Sequence, residues 1–180
     1  HYGDWLGLDA PEGSYVGSSN IDFIASAFYA YSTELLIKSG KVIGKDMSEY
    51  EMLYENIVGT FKKRCTEYNT QAECTLALCF NLTEDRAKTA SKLNELVKNN
   101  GNRLQTGFVG TPYLLYALSE NGYAETAYSL LLQEEYPSWL YEVNHGATTI
   151  WEHWDGIRDD GTFWSSDMNS VSYTHLTLPT

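Results

Sequence analysis

Cysteine, proline and basic side chains are all scarce in this chain of 180 residues. The three cysteines, Cys65, Cys74 and Cys79, are odd in number and form no Cys-x-x-Cys pair, so nothing in them demands an oxidising compartment. Cys65 and Cys74 fall on the apolar faces of helical patterns and read as buried free thiols. With 4 prolines and 14 glycines the chain cannot be collagen-like, and 43% hydrophobic against 20% charged residues excludes a disordered one. No apolar run approaches the ~20 residues that cross a bilayer, which excludes a membrane span. Acids outnumber bases 24 to 12, a formal charge of −12 that repels phosphate backbones and excludes nucleic acid as a partner. Gly-x-Gly-x-x-Gly is absent, Gly3, Gly7, Gly13 and Gly17 make no phosphate-cradling loop, and no Ser-His-Asp order stands out.

The chain opens at His1 with neither Met nor a signal peptide, and so reads as part of something longer. Free thiols and the lack of a visible export signal lean towards the cytoplasm. The run VSYTHLTLPT at 171–180 carries no charge and breaks with the acidic, tryptophan-rich style before it. It resembles a translated adapter scar and is set aside from the fold, leaving residues 1–170 as the native part.

What is present is helical periodicity, from residue 20 to residue 136. Ile24, Phe28, Tyr31 and Leu35 share one face of a helix that follows the capping cluster Ser18-Ser19-Asn20 and ends near Gly40. Tyr50, Tyr54, Ile57, Val58, Phe61 and Cys65 share the next face, with Asp46 and Glu49 as its capping box. A shorter apolar run covers 74–80. Thr83 is expected to cap a helix with Glu84 and Asp85 in its first turn, ended by Gly101. Thr111-Pro112 reads as cap and first helical residue of another helix, stopped by Asn121-Gly122, and a last face runs from Ala124 to Leu132, ended before Pro137. About six helices joined by short connections make antiparallel hairpins. They fit a bundle, an α-solenoid or part of an (α/α) toroid, which periodicity alone does not separate.

All five tryptophans lie outside those six runs. Trp5 stands in the opening segment, and Trp139, Trp151, Trp154 and Trp164 crowd together near the end with Glu142, Glu152, Asp155, Asp159, Asp160, Asp167, His145 and His153. Flat aromatics beside carboxylates suit sugars, because a ring covers the apolar C–H face while carboxylates take the hydroxyls. Any single tryptophan of this set is explained as well by packing, but the cluster as a whole marks a site. Glu152, between Trp151 and Trp154, stands where apolar neighbours would suit acid–base work. A metal at His145, Glu152 and His153 is rejected, because the His-Glu-x-x-His spacing is missing and adjacent residues rarely ligate one ion.

The runs YPSWLY at 136–141, GATTIWE at 146–152 and Trp154-Asp155 resemble the signature of the α-L-rhamnosidases of glycoside hydrolase family 78. YGDWL at 2–6, QTGFVGTP at 105–112, Asp159-Asp160-Gly161 and Met168-Asn169-Ser170 continue the likeness over residues 1–170. The resemblance implies an all-α (α/α)6 barrel, here an incomplete later portion of about three helical hairpins. It implies inverting hydrolysis of terminal α-L-rhamnosyl bonds in a rhamnose-containing glycoside or oligosaccharide, with no cofactor. Under it Glu152 is the general base. Trp5 and Trp151 border the sugar, and Asp4, Trp154 and His145 complete the substrate-binding set. The family's general acid sits in an acidic motif upstream of GDWL that nothing here matches, and its Phe-Asn-His segment does not follow Ser170; His175 stands elsewhere. The intact parent is therefore expected to be the active species and the piece alone inactive, with exposed core faces. The rival readings are another (α/α)-barrel glycosidase or lyase, and a non-catalytic helical scaffold that binds carbohydrate.

Overall fold

The computed structural model describes residues 2–158 and 160–163. Asp159, Trp164, Asp167, the Met168-Asn169-Ser170 match and the 171–180 tail lie outside the described residues. Among the described residues the regular structure is all helical: α1 (Ile21–Val42), α2 (Ser48–Arg64), α3 (Gln71–Cys79), α4 (Arg86–Asn99), α5 (Thr111–Ser119), α6 (Ala124–Leu131) and α7 (Trp139–Asn144). Isolated β-bridges between Trp5 and Val16 and between Ile157 and Phe163 pin loops. Consecutive helices pair as three hairpins, α1 with α2, α3 with α4 and α5 with α6. Across the hairpins α1 packs on α3 and α3 on α5, while α4 meets α6. The odd helices thus form one layer and the even helices another, as in a sector of an (α/α) toroid.

Side-chain caps start four of these helices. Asn20 accepts from the Phe23 N–H, Thr70 from Glu73, Asp85 from Lys88 and Ser138 from Tyr141. Three expected starts move. Asp85 rather than Thr83 caps α4, and the Thr83 hydroxyl pairs instead with that of Thr89 at 2.7 Å. Gly110 rather than Thr111 precedes α5, because the Thr111 hydroxyl is taken by Thr106 at 2.8 Å. Met47 occupies the cap of α2, and Asp46 holds the Ser48 N–H at 3.0 Å.

The buried stripe of α1 is also rotated from the expected one. Phe23, Ile24, Ala27, Ala30 and Ile37 face the core, whereas Leu35 is 43% exposed. Small alanines let α1 approach α3 closely, and the larger Phe28 and Tyr31 pack at the edge against Phe80. Gly40 lies inside α1 rather than ending it, since a Cβ there would fall 2.1 Å from the Met47 sulfur.

Every residue from Gln71 to Leu78 in α3 is buried, so this helix is the axis of the core. Cys74 and Leu78 join Leu93, Val97, Leu114, Leu118 and Leu130 on one side. Leu76, Ala77 and Phe80 join Phe23, Ile24 and Phe61 on the other. Its buried polar groups find partners except the Thr75 hydroxyl, which has none among the described residues. Glu73 accepts the N–H groups of Asn20 and Asn69, each at 2.8 Å, tying the start of α1 to that of α3. The Cys74 thiol is pushed up to about 12 and that of Cys79 to about 11, chiefly by burial, so both are inert. Cys74 is fully buried as expected, while Cys65 and Cys79 are only partly so.

Candidate active site

The opening segment and the turn before α5 are about a hundred residues apart in sequence, yet one carboxylate clips them together. Asp4 Oδ2 accepts the Gly107 N–H at 2.8 Å, and Oδ1 accepts those of Val109 at 3.0 Å and Gly110 at 3.3 Å. The Trp5 carbonyl takes the Phe108 N–H at 2.9 Å, and the Gln105 carbonyl takes that of Leu8 at 3.0 Å. Only glycine fits at 107, where a Cβ would sit 2.2 Å from the Trp5 carbonyl oxygen. The clip sets Leu6 and Phe108 side by side on the wall of a cavity of about 540 Å³.

The opposite wall comes from α7 and the loop after it. Ser138 caps α7, and the Tyr141 hydroxyl donates to the Ile157 carbonyl at 3.1 Å, folding the loop back over the helix. Trp139 meets Trp154 edge to face at 5.3 Å, and Gly156 packs flat against the Trp151 ring. Asp155 and Arg158 pair at 3.2 Å at the loop's outer edge. Trp139, Trp151 and Trp154 all line the cavity, over a floor that includes Leu115 of α5 and Leu131 of α6. Among the described residues its acidic lining residues are Glu142 and Glu152, and no lysine, arginine or histidine lines it. A hollow of this size, with aromatic walls and few polar groups, has the character of a small-molecule site.

The expected site residues separate here. Glu152 is half-buried on the cavity wall, and no hydrogen bond or ion pair engages it among the described residues. Trp151 and Trp154 line the same space. Asp4 does not: it is 1% exposed, and both its oxygens accept backbone N–H groups. Burial pushes its carboxyl up to about 6 against the pull of those three N–H groups. Trp5 sits just behind Leu6, in a row with Tyr2 at 5.9 Å and Tyr15 at 5.4 Å, rather than on the wall itself. His145 turns back onto α7, its Nδ1 2.8 Å from the Tyr141 carbonyl oxygen and its ring 4.0 Å from that of Tyr141. It too is absent from the lining.

Glu142 is the residue that the sequence pattern left unassigned. It is buried, lines the cavity, and accepts the Trp151 N–H at 3.4 Å through Oε2. Burial pushes its carboxyl up to about 7, with that one N–H pulling the other way. The signal that could have found it is Ser138 four residues earlier, a cap that puts Glu142 on a helix rather than in a loop. Burial likewise lowers His153, with Asp155 and Glu152 opposing. Among the described residues no group of three or more His, Cys, Asp or Glu is arranged to hold a metal ion.

Residues 1–178 match the model of the bacterial alpha-L-rhamnosidase six-hairpin glycosidase domain. The chain belongs to that family. It is 36% identical to an alpha-L-rhamnosidase of Formosa agariphila over 96% of the chain and 20% of the relative. Its fold is similar to that of the Streptomyces avermitilis alpha-L-rhamnosidase solved in complex with L-rhamnose, with a TM-score of 0.82 and 37% identity over 94% of this chain and 16% of that one. The native Aspergillus terreus enzyme gives a TM-score of 0.84 at 30% identity, over 94% of this chain and 21% of that one. This rhamnosidase-family chain therefore spans about a fifth of the length of the relatives it matches, and its three hairpins are part of a six-hairpin helical fold.

Proposed function

We propose that the protein carrying this chain hydrolyses terminal α-L-rhamnosyl bonds with inversion, and that Glu152 is the general base. One observation carries the reading: in a chain of this family, Glu152 makes no hydrogen bond or ion pair among the described residues and stands on the wall of a cavity faced by three tryptophans. A carboxylate left free in this way can accept a proton from water, whereas one clamped by a cation cannot do so readily. The activated water attacks the anomeric carbon from the face opposite the leaving group. Room for that water requires the acid partner's carboxyl to lie ~6.5–9.5 Å from that of Glu152. That partner belongs to an acidic motif that residues 1–180 do not contain. Trp151 and Trp154 cover the apolar face of the sugar, and Trp5 supports the wall from behind. The solved relative that holds L-rhamnose supports the choice of sugar.

The test is hydrolysis of an aryl α-L-rhamnoside by the full-length enzyme, wild type against Glu152→Gln, with the anomer of the released sugar followed by NMR. The expected outcome is β-L-rhamnose as first product and a ~10²–10⁴-fold loss of kcat in the variant. Unchanged turnover removes Glu152 from the reaction. A panel of aryl glycosides separates this reading from another (α/α)-barrel glycosidase or lyase. Rhamnose lacks the 6-hydroxyl, and a pocket matched to it rejects sugars that carry one.

A further inference from the structure

We infer that Leu6 sets the specificity of the site for a 6-deoxy sugar by seating the C6 methyl group of the rhamnosyl unit; this rests on the reaction just given. Among the described residues, those other than glycine with a positive φ are Asn81 at 56°, Asn102 at 55° and Leu6 at 57°. Asparagine tolerates that conformation, but a leucine there is strained, because its Cβ crowds the backbone. Leu6 is the third residue of a turn that the Gly7 N–H closes onto the Asp4 carbonyl at 3.1 Å, where a positive φ calls for glycine or asparagine. Hydrogen bonds hold the strained residue on both sides. The Leu6 N–H donates to the Tyr15 carbonyl at 2.6 Å, the Leu8 N–H to that of Gln105 at 3.0 Å, and the Trp5 carbonyl accepts from Phe108 at 2.9 Å. Strain of this kind persists where the surroundings over-determine it, and it gathers at ligand sites. Core burial does not offset it here, since Leu6 is only partly buried and lines the cavity beside Phe108.

The chemistry of the two walls assigns the parts of the sugar. Glu152 and the tryptophans stand on one wall, and the Leu6 and Phe108 side chains, which offer a ligand no hydrogen bond, stand on the other. With the anomeric carbon turned to Glu152 and the C–H face on the tryptophans, the methyl on C5 is the apolar part left for Leu6 and Phe108. L-Mannose differs from L-rhamnose by one hydroxyl on that methyl carbon. Seated against Leu6, the hydroxyl gives up water and gains no partner from either side chain.

The experiment measures kcat/KM of the full-length enzyme on an aryl α-L-rhamnoside and on the matching aryl α-L-mannoside, for wild type, Leu6→Gly, Leu6→Asn and Glu152→Gln. Glycine relaxes the turn and empties the seat. Asparagine keeps the positive φ and offers an amide to the hydroxyl. Wild type is expected to prefer the rhamnoside by ~10²-fold, and both Leu6 variants to narrow that preference to about tenfold or less, chiefly by loss on the rhamnoside. The urea midpoint of Leu6→Gly should stand at or above that of wild type, since strain is released. If Leu6→Asn fails to fold, Leu6→Gly decides. A preference equal to that of wild type, whether activity is kept or falls by the same factor on both substrates, marks a merely structural leucine and overturns the inference. Full activity in Glu152→Gln overturns the reading of the base instead, so the two failures are told apart.

Discussion

Asp4 meets three backbone N–H groups, at 2.8, 3.0 and 3.3 Å, whereas Glu142 meets one, at 3.4 Å. Both carboxyls are buried, both face the problem of ionising out of water, and each ties a remote peptide to the wall of the same cavity. They solve the problem differently. The opening segment and the turn at 105–112 enclose Asp4 with three backbone donors and leave it 1% exposed. The α7 loop gives Glu142 one long bond and a place on the cavity wall, and burial pushes its carboxyl up to about 7, about as far above its ordinary value as that of Asp4. What separates the two is place: Glu142 lines the cavity and Asp4 does not.

The comparison can be broken most severely from outside it. Glu152→Gln touches neither clip, so the full-length enzyme should lose kcat by ~10²–10⁴ with its urea midpoint unmoved; a large stability loss would mean that Glu152 is structural. Asp4→Ala strikes the clip at the opening segment. It strands three backbone donors, and the chain is expected to lose about 3 kcal/mol or more of unfolding free energy, read as a lower urea midpoint. Gly107→Ala tests the same clip through space rather than charge. The added methyl must displace the Trp5 carbonyl, at a cost of about 2 kcal/mol.

The mildest test sharpens the contrast through pH. Both carboxyls hold their protons more tightly folded than unfolded, Asp4 at about 6 against 3.8 and Glu142 at about 7 against 4.5. The folded state therefore binds more protons, and stability falls as pH rises through this window. Between pH 6 and 7.5 the fall should be about 1–2 kcal/mol, most of it from Glu142. Glu142→Gln should flatten it, and a flat wild-type curve would show that neither carboxyl is held neutral.

The helices were largely legible because their signals are local. Asn20 caps α1, Gly101 ends α4, and Asn121-Gly122 ends α5, as expected. The errors arose where a side chain had a more distant partner. Thr83 and Thr111 looked like caps, but each hydroxyl is taken by another threonine. Leu35 carried the right spacing, yet the core selected the alanines one turn-face away because a close helix–helix approach favours small residues. GATTIWE and the tryptophan cluster pointed to the wall where Trp139, Trp151, Glu152 and Trp154 line the cavity. Asp4 and His145 were placed at the sugar by the family resemblance, which carries no information on the backbone groups they meet in this fold. The six-residue α7 escaped notice because so short an element has too few turns to show a period.

By itself the sequence determined the helical hairpins, the family and the tryptophan-lined loop that holds Glu152, because caps, periodicity and a long motif are read over neighbouring residues. Which acid faces the cavity and which is spent on peptides was decided only by tertiary structure. A carboxyl's role depends on the donors and the water around it, and for Asp4 those donors come from a turn about a hundred residues away.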